Sequence, residues 1–89
     1  MKIEVHSKTI CPYCTKAKAW LNEKGIAFEL FVYDDDADRA AMYDSFGLVD
    51  KERTVPQIVV DGVRIGGYTD LTNSDVADRA NAGNFDLDF

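Results

Sequence analysis

The sequence predicts an α/β domain built on a four-stranded mixed sheet flanked by helices, in the order β-α-β-α-β-β-α. Three observations carry this. Short apolar or alternating runs at 2–6, 27–33, 57–60 and 63–65 read as strands. Stretches of helical spacing with start and stop residues separate the first three. Asp61-Gly62 between the last two strands is a two-residue hairpin signal.

Lys2–His6 alternates Ile3 and Val5 with polar residues, the pattern of a half-buried strand. A helix follows from Pro12 to about Lys24, with Cys14, Ala17, Trp20 and Leu21 at helical spacing and Gly25 as its stop. Ala27–Tyr33, "AFELFVY", is the second strand. Asp34-Asp35-Asp36 then places negative charge where a helix start favours it, and reads as a solvated helix start. That helix runs from about Asp36 to Phe46 and closes at Gly47, before the loop "LVDKER". Gln57–Val60 and Val63–Ile65 form the hairpin, Gly66-Gly67 breaks it, and a last helix runs from Thr69 or Asp70 to Ala80. Strands joined by a helix are expected to pair in parallel with a right-handed crossover, whereas the hairpin is antiparallel. Trp20, Phe28, Phe31 and Phe46 are expected in the core, and His6 as a half-exposed strand residue.

With 89 residues the chain has room for one domain, expected over 1–80, with a C-terminal tail at 81–89 whose Phe85, Leu87 and Phe89 alternate with Asp86 and Asp88. No apolar run approaches the roughly 20 residues of a membrane span, and the first residues do not read as a signal segment. A cytoplasmic location and no membrane partner are the resulting expectations. The net charge of −6 argues against a nucleic-acid surface. The charge is uneven: residues 1–26 carry five Lys against two Glu, the rest five basic against fourteen acidic residues. The basic end suits a small anionic ligand near the cysteines, or is simply a set of solvated helix and loop ends.

Both cysteines lie in "CPYC", Cys11 to Cys14. A closed metal site needs about four ligands, and two Cys with one His do not supply them. A structural staple gains little from so short a loop. A redox pair has a physical basis. With Cys11 as N-cap and Pro12 as first helical residue, the sulfur of Cys11 faces the unpaired N–H groups of the first turn. A thiolate is stabilised there and its pKa falls. Cys14, one turn on, is within disulfide reach and more shielded. Cys11 is then the attacking sulfur and Cys14 the resolving one.

Four pieces in order, Lys8, "CPYC", "RTVP" (Arg53 to Pro56) and "GGYTD" (Gly66 to Asp70), resemble the glutaredoxins of the small dithiol type, over about Lys2 to Ala80. The resemblance implies a thioredoxin-like fold and a glutathione-dependent thiol–disulfide oxidoreductase that reduces protein disulfides and glutathione mixed disulfides. Glutathione would be the reductant, and no metal is expected. Lys8 and Arg53 would face its glycyl carboxylate, and Thr54, Val55 and a cis Pro56 its cysteinyl backbone. Gly67 would allow close approach, Thr69 and Asp70 would hold the γ-glutamyl end, and Tyr13 would flank the sulfur. The resemblance supplies no groove residue from the second helix near Ala40–Tyr43. Disulfide-bonded or glutathionylated proteins, ribonucleotide reductase among them, are the implied partners of a monomer. Two other readings stand beside it: a [2Fe–2S] carrier using one cysteine per chain with glutathione, and a thioredoxin-like reductase served by a flavoprotein.

Overall fold

The structure, a computed structural model, describes residues 1–80; the tail at 81–89, expected as a separate segment, lies outside the described residues. Strand β1 (Ile3–Ser7) is followed by α1 (Pro12–Glu23), β2 (Glu29–Val32), α2 (Asp36–Ser45), a 3-10 turn (Asp50–Glu52), β3 (Gln57–Val60), β4 (Val63–Gly66) and α3 (Tyr68–Thr72). A further helical stretch, α4, begins at residue 76 and reaches residue 80. The sheet order is β2-β1-β3-β4, with β1 parallel to β2 and antiparallel to β3, and β3 antiparallel to β4. This is the mixed sheet of a thioredoxin-like fold.

Alternation in β1 sorts its side chains between two cores. Ile3 and Val5 join Ala17, Leu21, Ile58, Leu71 and Val76 in the larger one, under α1 and α3. Fully burying a side chain such as Leu21 or Ile58 contributes roughly 1.5–3 kcal/mol. A smaller core of Met42, Tyr43 and Leu48, with Phe46, Tyr33 and Val55 against it, lies under α2. The hairpin turn places Asp61 and Gly62 at φ 50° and 84°, the left-handed geometry that Asp-Gly supplies.

Three expectations are corrected. The last helix is broken: α3 ends at a capping Asn73, and the Ser74 hydroxyl donates to the Leu71 carbonyl and accepts from the Val76 N–H at 3.3 Å. Asn and Ser side chains compete for backbone groups, which is why helical spacing alone missed the break. The second strand is shorter than 27–33, because only Glu29–Val32 pairs with β1. His6 is buried, 7% exposed. Its ring stacks on Phe31 at 4.8 Å, meets Tyr33 Oη at 2.8 Å through Nδ1 and Glu4 Oε1 at 2.9 Å through Nε2. A strand position beside two aromatic side chains and α2 has no solvent face. Burial, and secondarily the Glu4 charge, raises the Tyr33 pKa above its ordinary value. Trp20, Phe28 and Phe46 pack on the two cores as expected, and Phe31 is half-buried.

Candidate active site

The active centre forms where β1 ends and α1 begins. Cys11, extended at φ −155° and ψ 101°, is the N-cap of α1, with Pro12 in its first turn. The Cys14 N–H donates to Cys11 Sγ at 3.1 Å. This is the placement that stabilises a thiolate, since a first-turn N–H otherwise lacks a partner. The two cysteines are joined as a disulfide across a Cα–Cα distance of 5.2 Å. Cys11 is 7% exposed and Cys14 1%, so the outer sulfur is the one an incoming group meets. Cys11 Sγ also lies 3.7 Å from the Val55 carbonyl oxygen, which a reduced thiol can use as acceptor.

Two cavities meet beside this sulfur. One, of about 340 Å³, is lined by Tyr13, Thr54, Val55, Pro56 and the start of α3 from Gly67 to Asp70. The other, of about 510 Å³, runs past Cys11 between Lys8, Ile10, Arg39, Tyr43 and Arg53. They share Tyr13, Thr54 and Val55, so the groove is continuous past the disulfide. The site residues read from the sequence therefore line one groove, except Cys14, which is buried behind Cys11. The Val55–Pro56 peptide is cis. Tyr13 is 57% exposed, with Lys16 Nζ 5.0 Å above its ring and Tyr68 beyond.

The groove's ionic groups are not equally free. The Arg53 guanidinium pairs with Asp44 and donates through Nε to the Leu48 carbonyl at 3.0 Å, so it is held against the loop and over the Tyr43 ring. Asp70 turns back: its Oδ2 accepts from the Gly67 N–H at 2.9 Å. Lys8 forms no ion pair among the described residues. Gln57 braces the segment ahead of Pro56, donating to the Glu52 and Thr54 carbonyls at 3.2 and 2.9 Å and accepting from Arg64 at 3.1 Å.

Sequence reading missed Arg39 and Tyr43, which bring α2 to the groove. Arg39 stands one residue before the stretch 40–43, and three residues after Asp36, with which it pairs at 2.5 Å. That i,i+3 spacing was the available signal. Burial raises the Tyr43 pKa, and the nearby Arg39 and Arg53 charges work against the rise. Among the described residues, no three His, Cys, Asp or Glu side chains gather as a metal site, and no helix is long and apolar enough to cross a membrane.

A thioredoxin-like fold with a Cys-x-x-Cys pair capping its first helix defines a class, the dithiol thiol–disulfide oxidoreductases. Comparison with known proteins narrows it. Residues 3–65 match the glutaredoxin family model. The chain is 43% identical over 70 residues to glutaredoxin 3 of Escherichia coli K12, covering 78% of this chain and 80% of that one. Among solved structures it is similar to glutaredoxin 1 of Francisella tularensis complexed with cacodylate, with a TM-score of 0.77 at 36% identity over 90% of this chain and 96% of that one. It is also similar to a buckwheat glutaredoxin–glutathione complex, with a TM-score of 0.66 at 30% identity over 79% and 64% of the two chains. The chain belongs to the glutaredoxin family, and it is an enzyme of thiol–disulfide exchange.

Proposed function

We propose that the chain reduces glutathione mixed disulfides and protein disulfides at the expense of glutathione, with Cys11 as nucleophile and Cys14 as resolving thiol. The observation that carries this is the continuous groove past the Cys11 sulfur, with Lys8 and Arg53 at one end and Thr69 and Asp70 at the other. A tripeptide with a carboxylate at one end and a carboxylate and ammonium at the other matches those ends. Lys8 and Arg53 take the glycyl carboxylate. The Val55 backbone pairs with the cysteinyl unit beside Thr54 and Pro56, Gly67 lets it approach, and Tyr13 flanks the sulfur. Thr69 and Asp70 hold the γ-glutamyl end, Asp70 releasing the Gly67 N–H to take the ammonium.

With a glutathionylated protein, the Cys11 thiolate attacks the glutathionyl sulfur and the protein leaves as a thiolate, which takes a proton. A second glutathione thiolate attacks that sulfur in turn, giving oxidised glutathione and free Cys11. With a protein disulfide, Cys11 first forms a mixed disulfide with the substrate. Cys14 then attacks Cys11 Sγ, the substrate leaves with both thiols, and the Cys11–Cys14 disulfide remains. Two glutathiones reduce it and depart as oxidised glutathione. The reading includes a monomer in the reducing cytoplasm, with disulfide-bonded and glutathionylated proteins as substrates and ribonucleotide reductase as one to assay.

The test is turnover of a small glutathione mixed disulfide with glutathione, glutathione reductase and NADPH. Wild type and Cys14→Ser are expected to turn over, and Cys11→Ser to be inactive. Cys14→Ser is expected to lose most of its activity toward a protein disulfide. Absence of wild-type turnover, or equal loss of both activities in Cys14→Ser, would refute the assignment.

A further inference from the structure

Residues 8–10 deliver Cys11 from the end of β1 to the start of α1, and they carry Lys8. Among the described residues, the hydrogen bonds of this loop all come from Thr9 and go to one carboxylate. The Thr9 N–H donates to Asp34 Oδ1 at 2.7 Å and the Thr9 hydroxyl to Asp34 Oδ2 at 2.5 Å. Asp34 is the second residue after β2, and the Tyr33 N–H just before it donates to the Ser7 carbonyl at 2.8 Å. The β2–α2 turn thus grips the chain at Ser7 and again at Thr9, two residues before the nucleophile.

Asp34 has no other structural duty that explains this arrangement. The N-cap of α2 is Asp35, whose carboxylate accepts from the Ala37 and Asp38 N–H groups. The turn itself is held by Arg39, which donates to the Tyr33 carbonyl at 3.0 Å and pairs with Asp36. The helix and the turn therefore keep their own bonds without Asp34. Its carboxyl is held below the usual carboxylate range, first by the Thr9 hydroxyl, then by the Thr9 N–H, with Arg39 and Lys8 adding smaller effects.

We infer that Asp34 is a positioning residue for the thiol chemistry: its carboxylate, through Thr9, holds loop 8–10 so that Cys11 stays over the first turn of α1. The inference rests on Cys11 being the nucleophile. A sulfur displaced by about 1 Å from its reacting geometry loses up to roughly a hundred-fold in rate, so freeing one loop is expected to cost about ten-fold.

The charge of Asp34 allows a test in which the two effects have opposite sign. Removing an anion near Cys11 would by itself favour the thiolate and speed its alkylation. Releasing the loop weakens the cap and slows it. The experiment follows alkylation of the reduced protein by iodoacetamide as a function of pH, with the labelled cysteine assigned by peptide mapping, alongside kcat/KM. Asp34→Ala and Thr9→Val are expected to raise the Cys11 titration midpoint and lower kcat/KM, and Thr9→Ser to restore both. Thr9→Val leaves every charge in place and keeps the backbone bond, so the Val/Ser pair decides the matter even where Asp34→Ala does not fold. Thr9→Val alkylating as fast as a reactive wild type would overturn this inference alone. An unreactive wild-type Cys11 would overturn the nucleophile assignment and this inference together.

Discussion

Gly66 ends β4 at φ 125°, just before the groove segment that Asp70 closes. A Cβ placed there would overlap Asp70 Oδ2 and lie 2.6 Å from its Cγ and 3.0 Å from its Cβ. Because the Asp70 Cβ itself is crowded, the side chain cannot simply tip away; it must leave the Gly67 N–H. Gly66→Ala therefore carries two costs. Holding a non-glycine residue at this φ costs roughly 1–3 kcal/mol. Losing the Asp70–Gly67 hydrogen bond costs about 1 kcal/mol. A total near 3 kcal/mol in a domain of this size corresponds to a melting temperature lower by roughly 12–24 °C. Thermal unfolding of wild type, Gly66→Ala, Asp70→Ala and the double variant reads it directly. Gly66→Ala is expected to cost less in the Asp70→Ala background, by about 1 kcal/mol, because the clash and the bond are already gone. An unchanged melting temperature, or the same loss in both backgrounds, would show that Asp70 does not occupy the space above Gly66.

Two further outcomes follow from buried and paired groups. Tyr33→Phe leaves His6 Nδ1 without its partner inside the smaller core, and urea unfolding is expected to show a loss of about 1–3 kcal/mol. Asp61 accepts from the Lys2 N–H at 2.7 Å and from Arg79 at 3.0 Å, and the Lys2 bond first of all lowers its pKa below 3.8. A depressed carboxylate stabilises the fold fully above its unfolded pKa and loses that contribution as pH falls through its folded one. The wild type is therefore expected to lose stability below about pH 4 more steeply than Asp61→Asn, as urea midpoints across acid pH would show. Parallel slopes would mean that Asp61 keeps its ordinary pKa.

Much of the site could be read along the chain because its parts are local. Cys11, Pro12 and Cys14 specify a helix start and a pair of sulfurs one turn apart within four residues, and the β3–β4 hairpin is written in Asp61-Gly62. The order of strands and helices follows from periodicities that need no distant information. Less legible were the groups whose roles depend on neighbours far away in sequence. His6 lies in an alternating strand, yet Phe31, Tyr33 and Phe46 close over it. Arg39 reaches the groove only because α2 packs Met42 and Tyr43 into a core that Val55 joins, which brings the helix to the cavity past Cys11. The break at Asn73–Ser74 turned on which backbone groups the Ser74 hydroxyl reaches, a competition that spacing does not record.

The three aspartates after β2 show where the division falls. The sequence by itself determines that Asp34, Asp35 and Asp36 stand at a helix start, because charge and spacing suffice for that. It does not distinguish them. The tertiary structure gives each a different partner: Asp34 takes Thr9, Asp35 caps α2, and Asp36 pairs with Arg39. The reason is physical. A cap or an i,i+3 pair is set by bonds within one turn of helix, whereas Asp34 meets Thr9 across 25 residues only because β1 and β2 pair in parallel and bring the C-terminal ends of both strands to the same end of the sheet. Local bonds specify the helix that carries Cys11, and that pairing decides what holds the loop in front of it.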